Sequence, residues 1–169
     1  MCIRDRFNGN EEHKVWIDVQ VDSDWAGNED RKSTSGGIIL IGGVGVKHWS
    51  RTQKTRALSV GEAEYYAVVT GSAEGLGVQS LGKDMGYEFE VQVWTDCDAG
   101  RSMANRRGLG KARHMELRFL WVQEKVKDRA LVVRRIDGDQ NVADHLTKGK
   151  HREDMKLKLS TVGGNLVLK

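Results

Sequence analysis

The chain has little cysteine and no long apolar segment, and each shortage excludes a class of protein. Cys2 and Cys97 are its two cysteines, too few and too far apart in 169 residues for a disulfide framework or a zinc cluster. No apolar run reaches the roughly 18 residues of a membrane span, and no secretory signal follows the start. We therefore expect an intracellular, cytoplasmic protein in a reducing compartment, without a membrane partner.

The composition that remains is typical of one globular domain with unevenly distributed charge. Apolar residues make up 38% and charged residues 30% of the chain, which is long enough to bury a core without disulfides or metals. Residues 99–135 hold eleven Lys and Arg against three Asp and Glu, whereas the rest holds sixteen against twenty-one. This asymmetry suits a protein that binds a polyanion and keeps carboxylates for a cation; a mixed solvated surface is the alternative.

Periodicity divides the chain into three parts. Residues 1–12, which begin MCIRDR, have no periodic pattern, and we interpret them as an extraneous or fragment-start segment. Residues 13–150 form the predicted domain. Residues 151–169 are predicted to be a C-terminal helix and tail.

Alternating apolar residues and turn signals predict the first half of the domain. Every second residue from 15 to 21 is apolar, which predicts a strand that ends at Asp22. Gly42-Gly43 between two apolar runs predicts a hairpin, so three antiparallel strands result. Ser59-Val-Gly-Glu62 matches a capping box and predicts a helix to Leu81, with a thin or kinked end because its second half is rich in glycine.

The second half alternates strands with helical patterns. A strand is predicted over residues 91–96, and its last residue is again an aspartate. The later elements are predicted as a short helix, a basic loop, a helix, a strand and two helices, over residues 99–105, 106–113, 115–127, 130–136, 140–147 and 152–159. This order predicts an α/β fold with a mixed sheet.

Chain connectivity is expected to bring four carboxylates to one edge of that sheet. Asp22 ends the first strand, and the third strand of the meander runs parallel to the first, so the helix carrying Glu64 begins at the same edge. Right-handed helical crossovers return the later strands to this edge, with Asp96 at the end of one strand and Asp144 in the helix beyond the last. Clustered carboxylates repel unless a cation screens them, and oxygen ligands favour Mg²⁺ or Mn²⁺. Each residue also has a structural alternative as a turn, cap or solvated residue.

Nearby carboxylates compete for these places. Glu62 is already used by the capping box, whereas Glu64 shares its helix face with small and apolar residues that should lie on the sheet, so Glu64 is favoured. Asp24 lies beyond the expected strand end, and Asp98 is a second choice after Asp96.

Four separated motifs carry a family resemblance. They are Val21-Asp-Ser-Asp-Trp-Ala-Gly27, Arg31-Lys-Ser-Thr-Ser-Gly36, Ala57-Leu-Ser followed by Glu62-Ala-Glu-Tyr65, and Val142-Ala-Asp-His-Leu-Thr-Lys148. Together they resemble the ribonuclease H domain of copia-type retrotransposon Pol polyproteins, over roughly residues 13–148. Gly61, where the family usually has Thr or Ser, departs from the pattern, as does the run Asp96-Cys-Asp-Ala99.

The resemblance implies a ribonuclease H-like fold, with a five-stranded mixed sheet of three antiparallel strands and then two parallel ones, and helices on both faces. It also implies hydrolysis of the RNA strand of RNA–DNA hybrids by two Mg²⁺ or Mn²⁺ ions about 4 Å apart. Asp22 would bridge both ions, and Glu64, Asp96 and Asp144 would complete the set. The implied partners are an RNA–DNA hybrid and the reverse transcriptase domain of the same polyprotein. The expected location is the cytoplasm, including virus-like particles.

Basic residues after the fourth strand are the predicted nucleic-acid contacts. They are Arg101, Arg106, Arg107, Lys111 and Arg113. Phosphate contacts of this kind give salt-sensitive, sequence-independent affinity, and a solvated surface loop is the alternative. Two other functions share the fold pattern, namely a catalytically inactive nucleic-acid-binding spacer and a DNA strand-transfer enzyme.

Overall fold

The fold is that of a computed structural model, described here over residues 15–108, 110 and 114–147. Its strands are β1 Val15–Asp24, β2 Thr34–Ile41, β3 Val44–Thr52, β4 Phe89–Thr95 and β5 Leu131–Arg135. Its α-helices are α1 Val60–Asp84, α2 Asp98–Asn105, α3 Trp121–Lys127 and α4 Asp144–Thr147. Two 3-10 turns, Leu117–Phe119 and Gly138–Gln140, precede α3 and α4.

The five strands form one mixed sheet in the order β3-β2-β1-β4-β5. β2 pairs antiparallel with β1 and β3, and the alternation of apolar residues sets the register, with Val19 opposite Ile39. β4 pairs parallel with β1 and β5, which places Val93 beside both Val19 and Val133. The predicted sheet of three antiparallel and two parallel strands is therefore confirmed.

The hairpin between β2 and β3 turns on two glycines in the left-handed region. Gly42 has φ of 59° and Gly43 has φ of 80°. Consecutive positive φ angles are required in the tight turn whose twist matches the strands, and glycine adopts them without steric cost. The hairpin prediction is confirmed.

Helices cover both faces of the sheet. Ile17, Val19 and Val21 are fully buried on the face that carries α1, as the alternation of β1 predicts. On the opposite face, Ile38 and Leu40 of β2 pack in a separate buried cluster with apolar residues of the α4 region. None of the helices in the described ranges combines the length and the apolarity that crossing a membrane requires.

The first helix is longer and more regular than its glycines predict. α1 is a continuous α-helix of 25 residues, so the expectation of a thin or kinked end is wrong. Gly71 and Gly75 are buried against β1, and a methyl group at Gly75 would lie 2.8 Å from Val19 and 2.9 Å from Val91. The glycines therefore let the helix approach the sheet closely, and this packing outweighs their low helix propensity.

Three element boundaries also differ from prediction, and a hydrogen bond between residues far apart in the chain lies at each. β1 continues past Asp22 to Asp24, whose carboxylate accepts the Thr34 amide of β2. The predicted helix over 115–127 is divided into a 3-10 turn and α3, and the Tyr65 hydroxyl donates to the Phe119 carbonyl at 2.8 Å near the division. The Asn141 side chain donates to the Val21 carbonyl at 3.0 Å and divides the predicted helix over 140–147.

The predicted segment boundaries stay predictions. The extraneous segment 1–12 and the C-terminal helix over 152–159 lie outside the described residues. The described part begins inside the predicted domain and ends within its last motif.

Candidate metal centre

Three carboxylates from three different elements meet at one edge of the sheet. Asp22 lies near the end of β1, Asp96 directly follows β4, and Glu64 lies in the first turns of α1. Each offers a carboxylate oxygen, and these oxygens lie within 4.8 Å of one another. Asp22 and Glu64 are only 3% and 4% exposed, so the group is largely shielded from water.

One carboxylate oxygen of Glu64 accepts hydrogen bonds, and the other does not. Oε1 accepts hydrogen bonds from the Ser23 amide at 3.2 Å and the Ser23 hydroxyl at 3.1 Å. Oε2 is buried and has no hydrogen-bond partner among the described residues. A buried carboxylate oxygen without a donor is costly, so this atom is suited to accept a cation.

The group is electrostatically unfavourable by itself. Burial and the neighbouring negative charges of Asp22 and Asp96 together raise the pKa of Glu64 to about 8, against the lowering effect of the Ser23 hydrogen bonds. Carboxylates this close cannot all be ionised near neutral pH unless positive charge is present.

These observations fit a hard divalent cation. The ligand atoms are all carboxylate oxygens, one of them lacks a partner, and their mutual charge calls for compensation. Oxygen ligands favour Mg²⁺ or Mn²⁺ over zinc, which prefers nitrogen and sulfur. Asp22, Glu64 and Asp96 are therefore able to hold such an ion.

Asp144 lies beside this group without belonging to it. Among the described residues, the atoms that lie mutually within 4.8 Å come from Asp22, Glu64 and Asp96. Thr147 of α4 donates its hydroxyl to Asp22, and the same hydroxyl lies 3.2 Å from the Asp144 carbonyl. The structure thus brings three of the four predicted carboxylates together, and the role of Asp144 stays a prediction.

Glu62 has a different task from Glu64. The Ser59 hydroxyl accepts the Glu62 amide at 3.2 Å, as the capping box predicts. The Glu62 carboxylate, however, accepts the Leu58 amide at 3.0 Å instead of the Ser59 amide, and it also bonds to Tyr66 and His114. The Glu62 carboxylate therefore stabilises the start of α1 through hydrogen bonds.

Small residues seat α1 against α2 beside the site. A methyl group at Gly61 would lie 2.7 Å from the Ala99 side chain, and one at Gly100 would lie 3.1 Å from the Glu64 side chain. The departure at Gly61 therefore has a structural reason, because a larger residue there would push away the helix that follows Asp96.

Comparison with known proteins agrees with this geometry. No protein-family model matches the chain. Over 145 residues the chain is 32% identical to the retrovirus-related Pol polyprotein from transposon TNT 1-94 of Nicotiana tabacum, a match that covers 84% of the chain and 11% of that relative. The chain spans 9% to 11% of the length of three such plant Pol polyproteins.

Solved structures match the fold at low sequence identity. LC11-RNase H1, isolated from compost by a metagenomic approach, matches with a TM-score of 0.57 and 19% identity, over 78% of this chain and 91% of that chain. LC11-RNase H1 in complex with an RNA/DNA hybrid matches with a TM-score of 0.54 and 18% identity, over 82% of this chain and 99% of that chain. The chain is a homologue of retrovirus-related Pol polyproteins and has the ribonuclease H fold.

The predicted nucleic-acid contacts of this ribonuclease H-like domain differ in their exposure and in their partners. Arg107 is exposed, whereas Arg101 is half-buried and its guanidinium bonds to Asp98 at 3.0 Å. Arg106 is half-buried, and its guanidinium lies against Gly110. The other two, Lys111 and Arg113, lie outside the described residues, so all five stay predictions.

Sequence reasoning missed several residues around the candidate metal centre of the ribonuclease H-like domain. Ser23 bonds to Glu64, and Thr147 bonds to Asp22. Ser23 stands inside a quoted motif, but its bond to Glu64 joins residues 41 positions apart and leaves no periodic signal. Asp24, expected to lie beyond the strand end, accepts the Thr34 amide at the start of β2.

Proposed function

We propose that this domain is a metal-dependent endonuclease that hydrolyses the RNA strand of RNA–DNA hybrids during reverse transcription of a copia-type retrotransposon. The observation that carries the proposal is the group of Asp22, Glu64 and Asp96 around a buried, unpartnered carboxylate oxygen. The homology to Pol polyproteins and the likeness to a structure solved with an RNA/DNA hybrid support it.

Each residue of the group has a definable part in this proposal. Two Mg²⁺ or Mn²⁺ ions, when bound, would supply the charge that activates a water molecule and stabilises the leaving 3′ oxygen. Asp22, Glu64 and Asp96 would hold the ions, with Asp144 as the proposed fourth ligand. Ser23 orients Glu64 so that Oε2 faces away from the strand amide, and Thr147 orients Asp22.

Substrate and partners are proposed on the same basis. Arg107 and its basic neighbours would contact the phosphates of the hybrid, without reading its sequence. Hybrid would be distinguished from DNA duplex by groove shape and 2′-hydroxyls. The reverse transcriptase domain of the same polyprotein would deliver the hybrid, in the cytoplasm and inside virus-like particles.

Cleavage of a labelled hybrid tests the proposal directly. With Mg²⁺ present, the wild-type domain should cut the RNA strand and leave 5′ phosphate ends. Asp22→Asn and Asp96→Asn should each lower the rate by about a hundredfold or more, because they remove charge that holds the metal. The measurement is the single-turnover cleavage rate with Mg²⁺, with Mn²⁺ and with EDTA.

Asp24→Asn is the matched control. It makes the same chemical change on the same strand, two residues from Asp22, and an asparagine oxygen can still accept the Thr34 amide. Its rate should stay within about threefold of wild type. Hybrid binding without cleavage by the wild type and by both site variants would contradict the proposal and leave a catalytically inactive binding domain.

A further inference from the structure

We infer that a cavity beside α1 binds one unpaired nucleotide of a single-stranded nucleic acid. The cavity has a volume of about 370 Å³ and lies between the end of β3, α1 and the start of α3. Ligand pockets in proteins begin near this size. The residues that carry the inference are Arg51, Gln53, Lys54, Tyr66, Phe119 and Trp121, all in its lining.

Gln53 presents a buried acceptor that the protein does not use. Its side chain is 7% exposed, and Nε2 donates to the Ser35 hydroxyl at 2.8 Å and to the Ala63 carbonyl at 2.9 Å. The Ala63 carbonyl can only accept, which determines which end of the amide is which. Oε1 has no hydrogen-bond partner among the described residues. Because Oε1 is itself out of solvent contact, a ligand N–H donor reaches it after a small shift of the Gln53 side chain, and would then satisfy it.

An unpaired base is such a ligand. The Watson–Crick edge of an unpaired base is free to hydrogen-bond to protein, as in single-stranded recognition generally. In a duplex or a hybrid that edge is occupied by the opposite strand. Gln53 therefore favours an unpaired nucleotide over a paired one.

Aromatic rings supply the apolar part of the cavity. The rings of Tyr66 and Phe119 pack with centroids 4.4 Å apart and an interplanar angle of 43°. Trp121 lines the same cavity and is only partly buried against the core. Bases stack on aromatic side chains whatever their identity, so the cavity should accept any base.

Charge at the cavity matches a phosphate backbone. Arg51 and Lys54 belong to the lining, and the lining residues within the described ranges include no carboxylate. Arg51 Nη1 bonds to Glu74 at 3.0 Å, which engages one nitrogen of a group with five N–H donors. A polyanion carrying a base at each phosphate fits this lining better than a neutral ligand.

The cavity is separate from the metal centre but shares α1 with it. Gln53 bonds to Ala63, directly before Glu64, and the Tyr66 hydroxyl bonds to Glu62. Binding here requires neither metal nor cleavage. The inference can therefore fail while the proposed nuclease activity holds, and the reverse is equally possible.

The experiment compares two short oligonucleotides in EDTA, using the whole chain. One is an oligodeoxyadenylate, and the other is an abasic deoxyribose-phosphate chain of equal length and charge. Fluorescence anisotropy should give about tenfold tighter binding of the oligodeoxyadenylate, because one stacked base contributes that much. Intrinsic fluorescence should be quenched by the oligodeoxyadenylate in the wild type and not in Trp121→Phe, which keeps a stacking ring.

Single substitutions test whether the oligonucleotide binds in this cavity. Trp121→Leu should lose about tenfold in affinity for the oligodeoxyadenylate and none for the abasic chain. Lys54→Ala should weaken both oligonucleotides severalfold, whereas Lys83→Ala, an exposed change roughly 25 Å along α1 from Tyr66, should weaken neither. Equal affinity for the two oligonucleotides, persistent quenching in Trp121→Phe, or equal effects of the two lysine variants would overturn the inference. The quenching and lysine tests remain decisive if Trp121→Leu does not fold.

Discussion

Glu62 and Glu64 lie two residues apart on α1 and have pKa values shifted in opposite directions. Burial and the charges of Asp22 and Asp96 raise the pKa of Glu64 to about 8. Burial also acts to raise the pKa of Glu62, but hydrogen bonds from Tyr66, His114 and the Leu58 amide outweigh it, so that pKa is lowered. The neighbours of each carboxylate, and not its distance along the chain, decide whether it anchors the helix or faces a cation.

The raised pKa of Glu64 leads to a prediction about stability. Its ordinary value is 4.5, so between about pH 5 and 8 the unfolded chain has lost a proton that the folded, metal-free domain still holds. Folding stability from this residue must therefore fall as pH rises through that window. The loss should be on the order of a few kcal/mol, since one pKa unit corresponds to about 1.4 kcal/mol. Urea unfolding in EDTA at several pH values measures it.

Two variants isolate the contribution of Glu64. The stability difference between wild type and Glu64→Gln should fall from pH 5 to pH 8, because glutamine has no proton to lose. The difference between wild type and Glu74→Gln should stay level over the same range, because Lys47 and Arg51 lower the pKa of Glu74, which therefore gives its stability above 4.5 and loses it only in acid. If both stability differences stayed level with pH, the pKa of Glu64 would not be raised in the folded domain.

At the scale of elements, the glycines of α1 serve packing against the sheet. Gly71 and Gly75 face β1 at close range, while Gly77 on the other side has open space where a side chain would stand. Helix propensity alone predicts the same gain in stability for an alanine substitution at each of the three glycines. Their effects on stability should therefore differ in sign.

Alanine substitution tests this directly. Gly75→Ala should destabilise the domain by about 1–3 kcal/mol despite its better helix propensity, because the methyl group would meet Val19 at 2.8 Å and Val91 at 2.9 Å. Gly77→Ala should stabilise it by about 0.5–1 kcal/mol, because nothing stands in the way. Chemical denaturation of both variants at one pH gives the comparison. A stabilising Gly75→Ala would mean that α1 does not lie this close to the sheet.

At the scale of the whole molecule, the charge asymmetry of the sequence should determine how the domain binds a hybrid. Arg107 is exposed, whereas the guanidinium of Arg101 is already paired with Asp98. The logarithm of the affinity should fall linearly with the logarithm of salt concentration, with a slope of about −0.9 per phosphate neutralised. Arg107→Ala should reduce that slope by about one unit, and Arg101→Ala by less.

The control for this measurement lies on the other side of the sheet. Arg134 sits over the rings of Trp16 and Trp94, 5.6 and 5.8 Å from their centroids. Arg134→Ala removes the same charge and should leave the slope unchanged. Binding is measured in EDTA, where no cleavage interferes. A slope that responds equally to all three arginine variants would indicate a diffuse charge effect instead of a defined phosphate contact.

Patterns with a local physical cause were predicted correctly from the sequence. Positive φ angles at Gly42 and Gly43, and the Ser59 cap of α1, depend on residues within four positions of each other. Right-handed crossovers and the antiparallel meander then led to the five-stranded sheet and to the meeting of Asp22, Glu64 and Asp96. Alternation and connectivity thus determined the topology and three of the four expected carboxylates.

Tertiary structure alone decided the features that depend on bonds between distant residues. Asn141 reaches Val21 across 120 positions and interrupts a helix that the local pattern favours. Thr147 contacts Asp22 across 125 positions, and the cavity beside α1 joins β3 to residues near Trp121. Such side-chain bonds and close packings leave no periodic trace in a sequence, because periodicity records which face a residue occupies and not which partner it meets.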